Sequence, residues 1–539
     1  MPEIIHGIER RPLESGKSLF DYADEVSVAV PQSCGRSGRC RECVVEIRQG
    51  GESLSPRTEA EEYLPEDFRL ACQAEVESIE RDIEFAIIRR RMHILEEAGE
   101  AITEIDPVVT TNKNAVLYDG ITLDLRREHV LGLAIDIGTT TVVFRLIDLT
   151  DGHVVSGGAF ENPQRFGGSD VMSRITYERN HPGTMRKALR RALNAGLKEI
   201  YAELGIDRHE VYEAMIVANS TMRDLFFGLD VKPIGEMPYK SVTELAMLRG
   251  EADSTWITRR AYELGLFIHP QARVVGAPLI ASHVGGDVAA DLVATEFCKQ
   301  TGTSLLIDIG TNTEIVASDG KRIVAASSPA GPAFEGGMLR FGMPGADGAI
   351  EAVHINDDTF GYQVIGDYEP EGICGSGLVD IIAELRRVGW MGPEGRFPDG
   401  GSEYTIAPSK GITFSRADAS QLAQAKASNA SGQRILLRKL GLAADEVDRV
   451  YLAGGFANAI DIENAIAIGF LAQVRPERVE RVGNSALRGA TILLLSRAKR
   501  EALSDVIGRI EHIELETEPD FFELFVDGCM FHPIPTAAA

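Results

Sequence analysis

Four of the seven cysteines stand close together: Cys34, then five residues, Cys40, two residues, Cys43, and 28 residues to Cys72. In a long chain with an odd cysteine count, such a group suggests metal ligands rather than a disulfide scaffold. Three thiolates on one loop with a distant fourth is a pattern that holds an iron–sulfur cluster. The loop reads Cys34-Gly35-Arg36-Ser37-Gly38-Arg39-Cys40-Arg41-Glu42-Cys43. Glycine lets backbone come close and turn its N–H groups on cluster sulfurs, and Arg36, Arg39 and Arg41 offset negative charge. Two plainer readings stay open. Structural zinc favours two paired-cysteine knuckles, whereas here one pair is followed by a lone cysteine. Four unrelated buried thiols would make the clustering accidental.

A second chemistry is written twice. Leu133-Ala134-Ile135-Asp136-Ile137-Gly138-Thr139-Thr140-Thr141 returns 172 positions later as Leu305-Leu306-Ile307-Asp308-Ile309-Gly310-Thr311-Asn312-Thr313. Each copy is an apolar strand ending in Asp, then a turn of Gly and hydroxyl residues. Such a turn offers N–H and O–H groups to phosphate oxygens, and the Asp can hold Mg²⁺ through water. The expected roles are Asp136 and Asp308 for the ion, and Gly138, Thr139, Thr140, Gly310, Thr311 and Asn312 for phosphate. The bland alternative is a pair of hairpin turns. A third segment, Val450-Tyr451-Leu452-Ala453-Gly454-Gly455-Phe456-Ala457, is an apolar strand opening into a bare turn. There Gly454 and Gly455 leave room for a flat ring. The Gly-Lys-Ser/Thr loop of P-loop proteins is absent.

Other residues carry two readings each. Asp287, opening a helical stretch to Phe297 after Gly285-Gly286, is either an N-cap or a group facing a nucleotide cleft. Glu335, beside Gly336-Gly337, either positions an attacking water or caps a turn. Cys374, between Ile373 and Gly375, is either a redox ligand or a small buried residue. His283 is either catalytic or structural.

The elements that must position these groups follow from local patterns. Ser18 caps a short helix at Leu19–Ala23, and Val44–Ile47 reads as a strand closed by Gly50-Gly51. Leu189, Leu193, Leu197, Ile200 and Leu204 recur at helical spacing after Thr184. The domain reading is a cluster unit at 1–92, a linker at 93–128, and two nucleotide-binding halves at 129–303 and 304–539. The run Glu96 to Glu104 reads as solvated surface. Alternating strands, Gly-rich turns and amphipathic helices make the class α/β. The 539 residues carry 81 Asp plus Glu against 55 Lys plus Arg, a formal charge of −26. That charge repels nucleic acid and suits a partner with a basic face. Neither a membrane-length apolar run nor a secretory leader is visible, so a reducing cytoplasm is expected.

Residues 1–90 resemble [2Fe-2S] ferredoxins of the adrenodoxin and putidaredoxin kind, in the first cysteine gap and in Arg69-Leu70-Ala71-Cys72-Gln73. This implies a β-grasp domain with Cys34, Cys40, Cys43 and Cys72 as cluster ligands. The two Asp-Ile-Gly-Thr loops and the Ala-Gly-Gly turn resemble the acetate and sugar kinase, heat-shock chaperone and actin (ASKHA) superfamily. This implies a duplicated RNase H-like ATPase that closes on Mg-ATP. The fusion resembles the reductive activators of corrinoid-dependent methyltransferase systems. Asn162-Pro163-Gln164, Gly168-Ser169-Asp170-Val171-Met172-Ser173-Arg174-Ile175, Ala218-Asn219-Ser220-Thr221-Met222, Ser328 to Gly336 and Gly372 to Gly377 look like that family. The resemblance implies ATP-dependent one-electron reduction of Co(II) to Co(I) in a corrinoid protein. It also implies an electron-donating reductase and a homodimer. Some members carry an extra middle domain after the ferredoxin; about 36 residues at 93–128 are too few for one. Rival readings are an activator of a dehydratase-type metalloenzyme, a nucleotide-sensing ferredoxin that only binds a partner, and a small-molecule kinase.

Overall fold

The computed structural model describes residues 2–7, 9–26, 30, 36–38, 43–87, 105–336, 339–398, 400–455 and 457–535. Cys34, Cys40 and the acidic run 96–104 lie outside the described residues.

The N-terminal unit is a five-stranded sheet ordered Glu9–Pro12, Glu3–His6, Ile83–Ile87, Val44–Gln49, Phe68–Leu70. The helix Leu19–Glu25 packs Leu19, Phe20, Tyr22 and Ala23 into the domain's core, giving the expected β-grasp. Its start is fixed by a capping box, in which Ser18 and Asp21 satisfy each other's backbone N–H. Gly50 turns the chain out of Val44–Gln49 at φ 77°, where a Cβ would strike the Asp82 carbonyl.

The rest of the chain is built on two sheets of like winding. The first runs Val154–Glu161, Thr141–Asp148, Leu131–Ile137, Val211–Ala218, Arg273–Gly276, Ile257–Arg260. The second runs Val479–Gly483, Arg449–Ala453, Ser304–Ile309, Thr313–Ser318, Ile323–Ser328, Ile510–His512. In each, three antiparallel strands follow in chain order, and a later strand pairs parallel with the first. The repeat seen in the sequence is therefore a repeat of architecture, and both Asp-Ile-Gly-Thr segments end a central strand.

Leu133–Ile135 and Leu305–Ile307, ahead of each Asp, are continuously apolar because both faces are covered. Leu133 and Ile135 share a core with Leu189, Leu193 and Leu197 of the helix Thr184–Leu204. Ala134, between them, joins Leu487, Leu493 and Leu494 of the helix Ser485–Leu495 on the other face. That second helix follows the last parallel strand of the second sheet and crosses back to the first, so the two halves interlock.

The segment 105–128 is more than a linker. Val109–Thr111, Ala115–Tyr118 and Ile121–Leu125 form an antiparallel sheet. Val109 and Val116 are buried with Leu494, and Asp106 N donates to Leu495 O at 2.8 Å. The run of turn and β-branched residues from Pro107 to Asn114, which suggests a linker, is a strand and a hairpin turn, and the strands are too short to show their own periodicity.

Candidate functional site

At the cysteine end, two of the four predicted ligands are described, and they are together. Cys43 Sγ lies 3.3 Å from Cys72 Sγ, close enough for both to reach one metal atom. The hydrogen bond from the Cys43 thiol, aided by the Gln73 amide, lowers Cys72 to about 6 despite burial. A thiol poised to ionise suits a metal ligand. Cys72 is anchored from behind: Arg69 Nε donates to Glu61 Oε1 at 2.8 Å, and Leu70 N donates to the same oxygen at 2.9 Å. Burial pushes the Glu61 carboxyl up, but Arg69 and two backbone N–H groups hold it below its usual range. The sulfur donors therefore fit an iron–sulfur group.

At the other end the two Asp-Ile-Gly-Thr loops meet. Thr140 Oγ1 lies 3.4 Å from Thr311 Oγ1, and both hydroxyls donate to Glu335 Oε2, Thr140 at 3.0 Å. Glu335 thus joins the loops rather than capping a turn, and burial raises its carboxyl. Behind the first loop, Asn162 Nδ2 donates to Gly138 O at 2.8 Å, Arg174 to Thr139 O at 2.7 Å and Asn219 Nδ2 to Thr139 Oγ1 at 3.0 Å. In the second, Gly310 N donates to Asn312 O at 3.0 Å.

Beneath the loops lies a set of carboxylates. Burial, then the charge of Asp287, pushes Asp136 up to about 7 against a 3.0 Å hydrogen bond from Asn484. Burial and Asp136 do the same to Asp308, and burial and Asp308 to Asp287, each to about 7. The N-cap of the helix Gly286–Ala294 is Gly285, so Asp287 is not the cap; its Oδ1 accepts from Val288 N at 2.8 Å. One turn on, Asp291 is fully buried, takes a 2.6 Å hydrogen bond from Ser485 on Oδ1 and adjoins the Asp308 carboxylate. Glu314 faces Asp308 across the strand pair. Burial, reinforced by neighbouring carboxylates, raises both Asp291 and Glu314.

The charges acting on Asp136, Asp287 and Asp308 are all acidic, so these three carboxylates stand without a neutralising cation among the described residues. A hydrated divalent cation fits that deficit. Among the described residues, the one trio of potential ligand atoms mutually within 4.8 Å is Asp148, Asp151 and His153 at a turn. An ion in the cleft would thus be reached through water.

Gly454 has φ 112°, and a Cβ there would strike the Ile309 carbonyl; Gly455 has open space. Gly454→Ala is expected to cost about 2 kcal/mol or more and Gly455→Ala under about 1, read from thermal melts.

The carboxylates also give a pH signature. A group at about 7 in the fold and about 3.9 unfolded destabilises the fold progressively as pH rises through that window. Asp287→Asn is expected to melt above the wild type by about 2 °C or more at pH 8 without nucleotide or metal. The gap shrinks toward pH 5; a pH-independent gap would contradict the arrangement.

Comparison with known proteins agrees with this layout. Residues 6–77 match the 2Fe-2S iron-sulfur cluster binding domain, 131–300 the RACo middle region, and 302–537 the C-terminal, ASKHA domain of RACo. A solved reductive activator for corrinoid, iron-sulfur protein superposes with a TM-score of 0.73, at 27% identity over 99% of both chains. The chain belongs to the RACo family. The corrinoid activation enzyme RamQ of Eubacterium limosum is 29% identical over 95% of this chain and 96% of its own. The [Co(II) methylated amine-specific corrinoid protein] reductase of Methanosarcina barkeri is 22% identical over 73% and 76%. The RACo middle region corresponds to the half that carries Asp136 and the first loop.

Cys374 is buried, its Sγ 3.4 Å from Ile350 O on the strand Ala349–Asn356 and 3.4 Å from Ser376 Oγ in its own loop, with burial raising its thiol. His283 packs near Tyr239, and burial lowers its pKa against the charges of Glu516 and Glu244. Sequence reasoning assigned no roles to Asp291, Glu314, Arg174, Asn162, Asn219 or Asn484. Asp291 had a signal, since it stands four residues after Asp287 on one helix face. No helix among the described residues is long and apolar enough to cross a membrane.

Proposed function

We propose that this chain is an ATP-dependent reductive activator that passes one electron from a [2Fe-2S] cluster to Co(II) of a partner corrinoid protein, giving Co(I). The observation that carries it is the pairing of a sulfur-donor site with two hydroxyl-bearing loops joined at Glu335 in one chain. Support comes from RamQ, named a corrinoid activation enzyme, and from the Methanosarcina barkeri reductase, named for Co(II).

In this reading Cys34, Cys40, Cys43 and Cys72 hold the cluster, which supplies one electron at a time. Asp136 and Asp308 face hydrated Mg²⁺, which screens phosphate charge. Gly138, Thr139, Thr140, Gly310, Thr311 and Asn312 cradle the phosphates, and Gly454 and Gly455 flank adenosine. Asp287 and Glu335 are the carboxylates placed to orient water. Water adds to the γ-phosphorus, the bond to the β–γ bridging oxygen breaks, and ADP and phosphate leave. The phosphate would take the Thr140 and Thr311 hydroxyls from Glu335, freeing that carboxylate to hold water.

A gap of about 200–300 mV for one electron amounts to about 5–7 kcal/mol. That is also about the differential binding that flips a two-state equilibrium. The ATPase need not do redox chemistry; it can change which partner state is bound and then release it. A reductase refills the cluster, and the protein works in the cytoplasm as a homodimer.

ATP turnover by the cluster-loaded protein, with and without a Co(II) corrinoid protein, tests this. Turnover stimulated by the corrinoid protein is expected. No turnover under either condition would favour a ferredoxin that merely senses nucleotide.

A further inference from the structure

The ferredoxin unit is fastened to the first ATPase half beside the first phosphate loop. Arg165 Nη2 donates to Glu46 Oε2 at 2.8 Å while Nη1 donates to Glu161 Oε1 at 2.7 Å. The Tyr177 hydroxyl donates to the Tyr63 carbonyl. Phe166 stands edge-on to both rings, with centroids 5.8 Å from Tyr63 and 5.5 Å from Tyr177. Glu46 lies on the strand Val44–Gln49, directly after Cys43.

The same two segments grip the phosphate loop from behind. Asn162 caps the turn Pro163–Gly167, which carries Arg165 and Phe166. Its Nδ2 holds Gly138 O at 2.8 Å and its backbone N holds Thr140 O at 2.6 Å. Arg174 holds Thr139 O from the helix Val171–Asn180, which also carries Tyr177 three residues on, on a neighbouring face. Arg174 is 1% exposed, and its other hydrogen bonds go to Gly168 O at 2.9 Å and Met222 Sδ at 3.0 Å. It therefore sits behind the loop as a buried cation bonded to carbonyls and a thioether. The opposing charges that act on it most are Asp170 and Glu335, and its described hydrogen bonds go to neither.

We propose that nucleotide phosphate at the first loop unlatches the ferredoxin domain through Arg174 and Asn162. An incoming triphosphate attracts an under-neutralised buried guanidinium strongly, because little solvent screens the pair. Arg174 and Asn162 cannot follow the loop without shifting the helix and turn that carry Tyr177, Arg165 and Phe166. Among the described residues the polar ties to this domain are the two at Glu46 and the Tyr63 carbonyl, and contacts between domains of one chain are where relative motion is expected. Without nucleotide the cluster domain is docked; with nucleotide it is free to reach a partner. Arg174 is a positioning residue in this scheme. The scheme rests on reading the loops as the ATP site.

Hydrogen exchange on the full-length, cluster-loaded protein tests it, with and without Mg²⁺ and a non-hydrolysable ATP analogue. Exchange at 138–141 should slow while exchange at 59–68 rises about threefold or more. The double variant Arg165→Ala, Tyr177→Phe should exchange fast at 59–68 under both conditions and still gain protection at 138–141. At saturating analogue Arg174→Lys should leave 59–68 unresponsive, because an ammonium keeps the charge but not the fork that ties Thr139 O to Gly168 O. Protection at 138–141 with no change at 59–68 in the wild type overturns the latch and leaves the ATP site standing. No change at either place overturns both.

Discussion

Asp136→Ala is expected to keep the full visible spectrum of the iron–sulfur protein and to lose ATP turnover by at least about 100-fold, a loss of about 2.7 kcal/mol or more in transition-state stabilisation. Asp136 ends the central strand of the first sheet, held by Asn484, and is raised to about 7 by burial and by Asp287. Such an arrangement costs stability unless a cation offsets it. The alanine variant should therefore melt at or above the wild type at pH 8 without nucleotide, while failing to gain stability from Mg-ATP. Steady-state phosphate release together with melting curves separates the two effects. Wild-type turnover by this variant would remove Asp136 from the site.

Cys72→Ser is expected to give the opposite split. The variant should emerge from anaerobic reconstitution with the cluster absorbance lost or strongly bleached, and with no corrinoid reduction. Cys72 is the lowered thiol of the pair with Cys43, and a serine hydroxyl there is a far poorer ligand for iron. ATP affinity should stay within about twofold of the wild type, since Glu61, Arg69 and Leu70 still fix the strand end. Retention of the wild-type spectrum would show that Cys72 is not a ligand.

The parts of this protein that are legible in its sequence are those that chemistry forces into a fixed spacing. Cysteines around a cluster, a strand that must end in Asp before a Gly-hydroxyl turn, and leucines at helical period all leave local marks. The second Asp-Ile-Gly-Thr copy is informative because two halves wound alike repeat their strand ends. What stays hidden depends on register and on distance along the chain. Glu314 faces Asp308 only through the pairing of Ser304–Ile309 with Thr313–Ser318. Asn484 reaches Asp136 from 348 residues away because Ser485–Leu495 crosses back to the first sheet. Asp287 carries a helix-start pattern, but Gly285 takes the cap and leaves its carboxylate to the cleft. The strands at 109–125 hide for a different reason: Val109–Thr111, Ala115–Tyr118 and Ile121–Leu125 are each too short to show a period of their own.

The central claim is that nucleotide turnover in the cleft drives electron flow onto cobalt. It is tested most directly by following the absorbance of a purified Co(II) corrinoid protein mixed anaerobically with the reduced, cluster-loaded chain. Co(I) should accumulate with Mg-ATP and remain near background without nucleotide or with a non-hydrolysable analogue. Equal Co(I) with and without ATP, or none under any condition, would contradict the account.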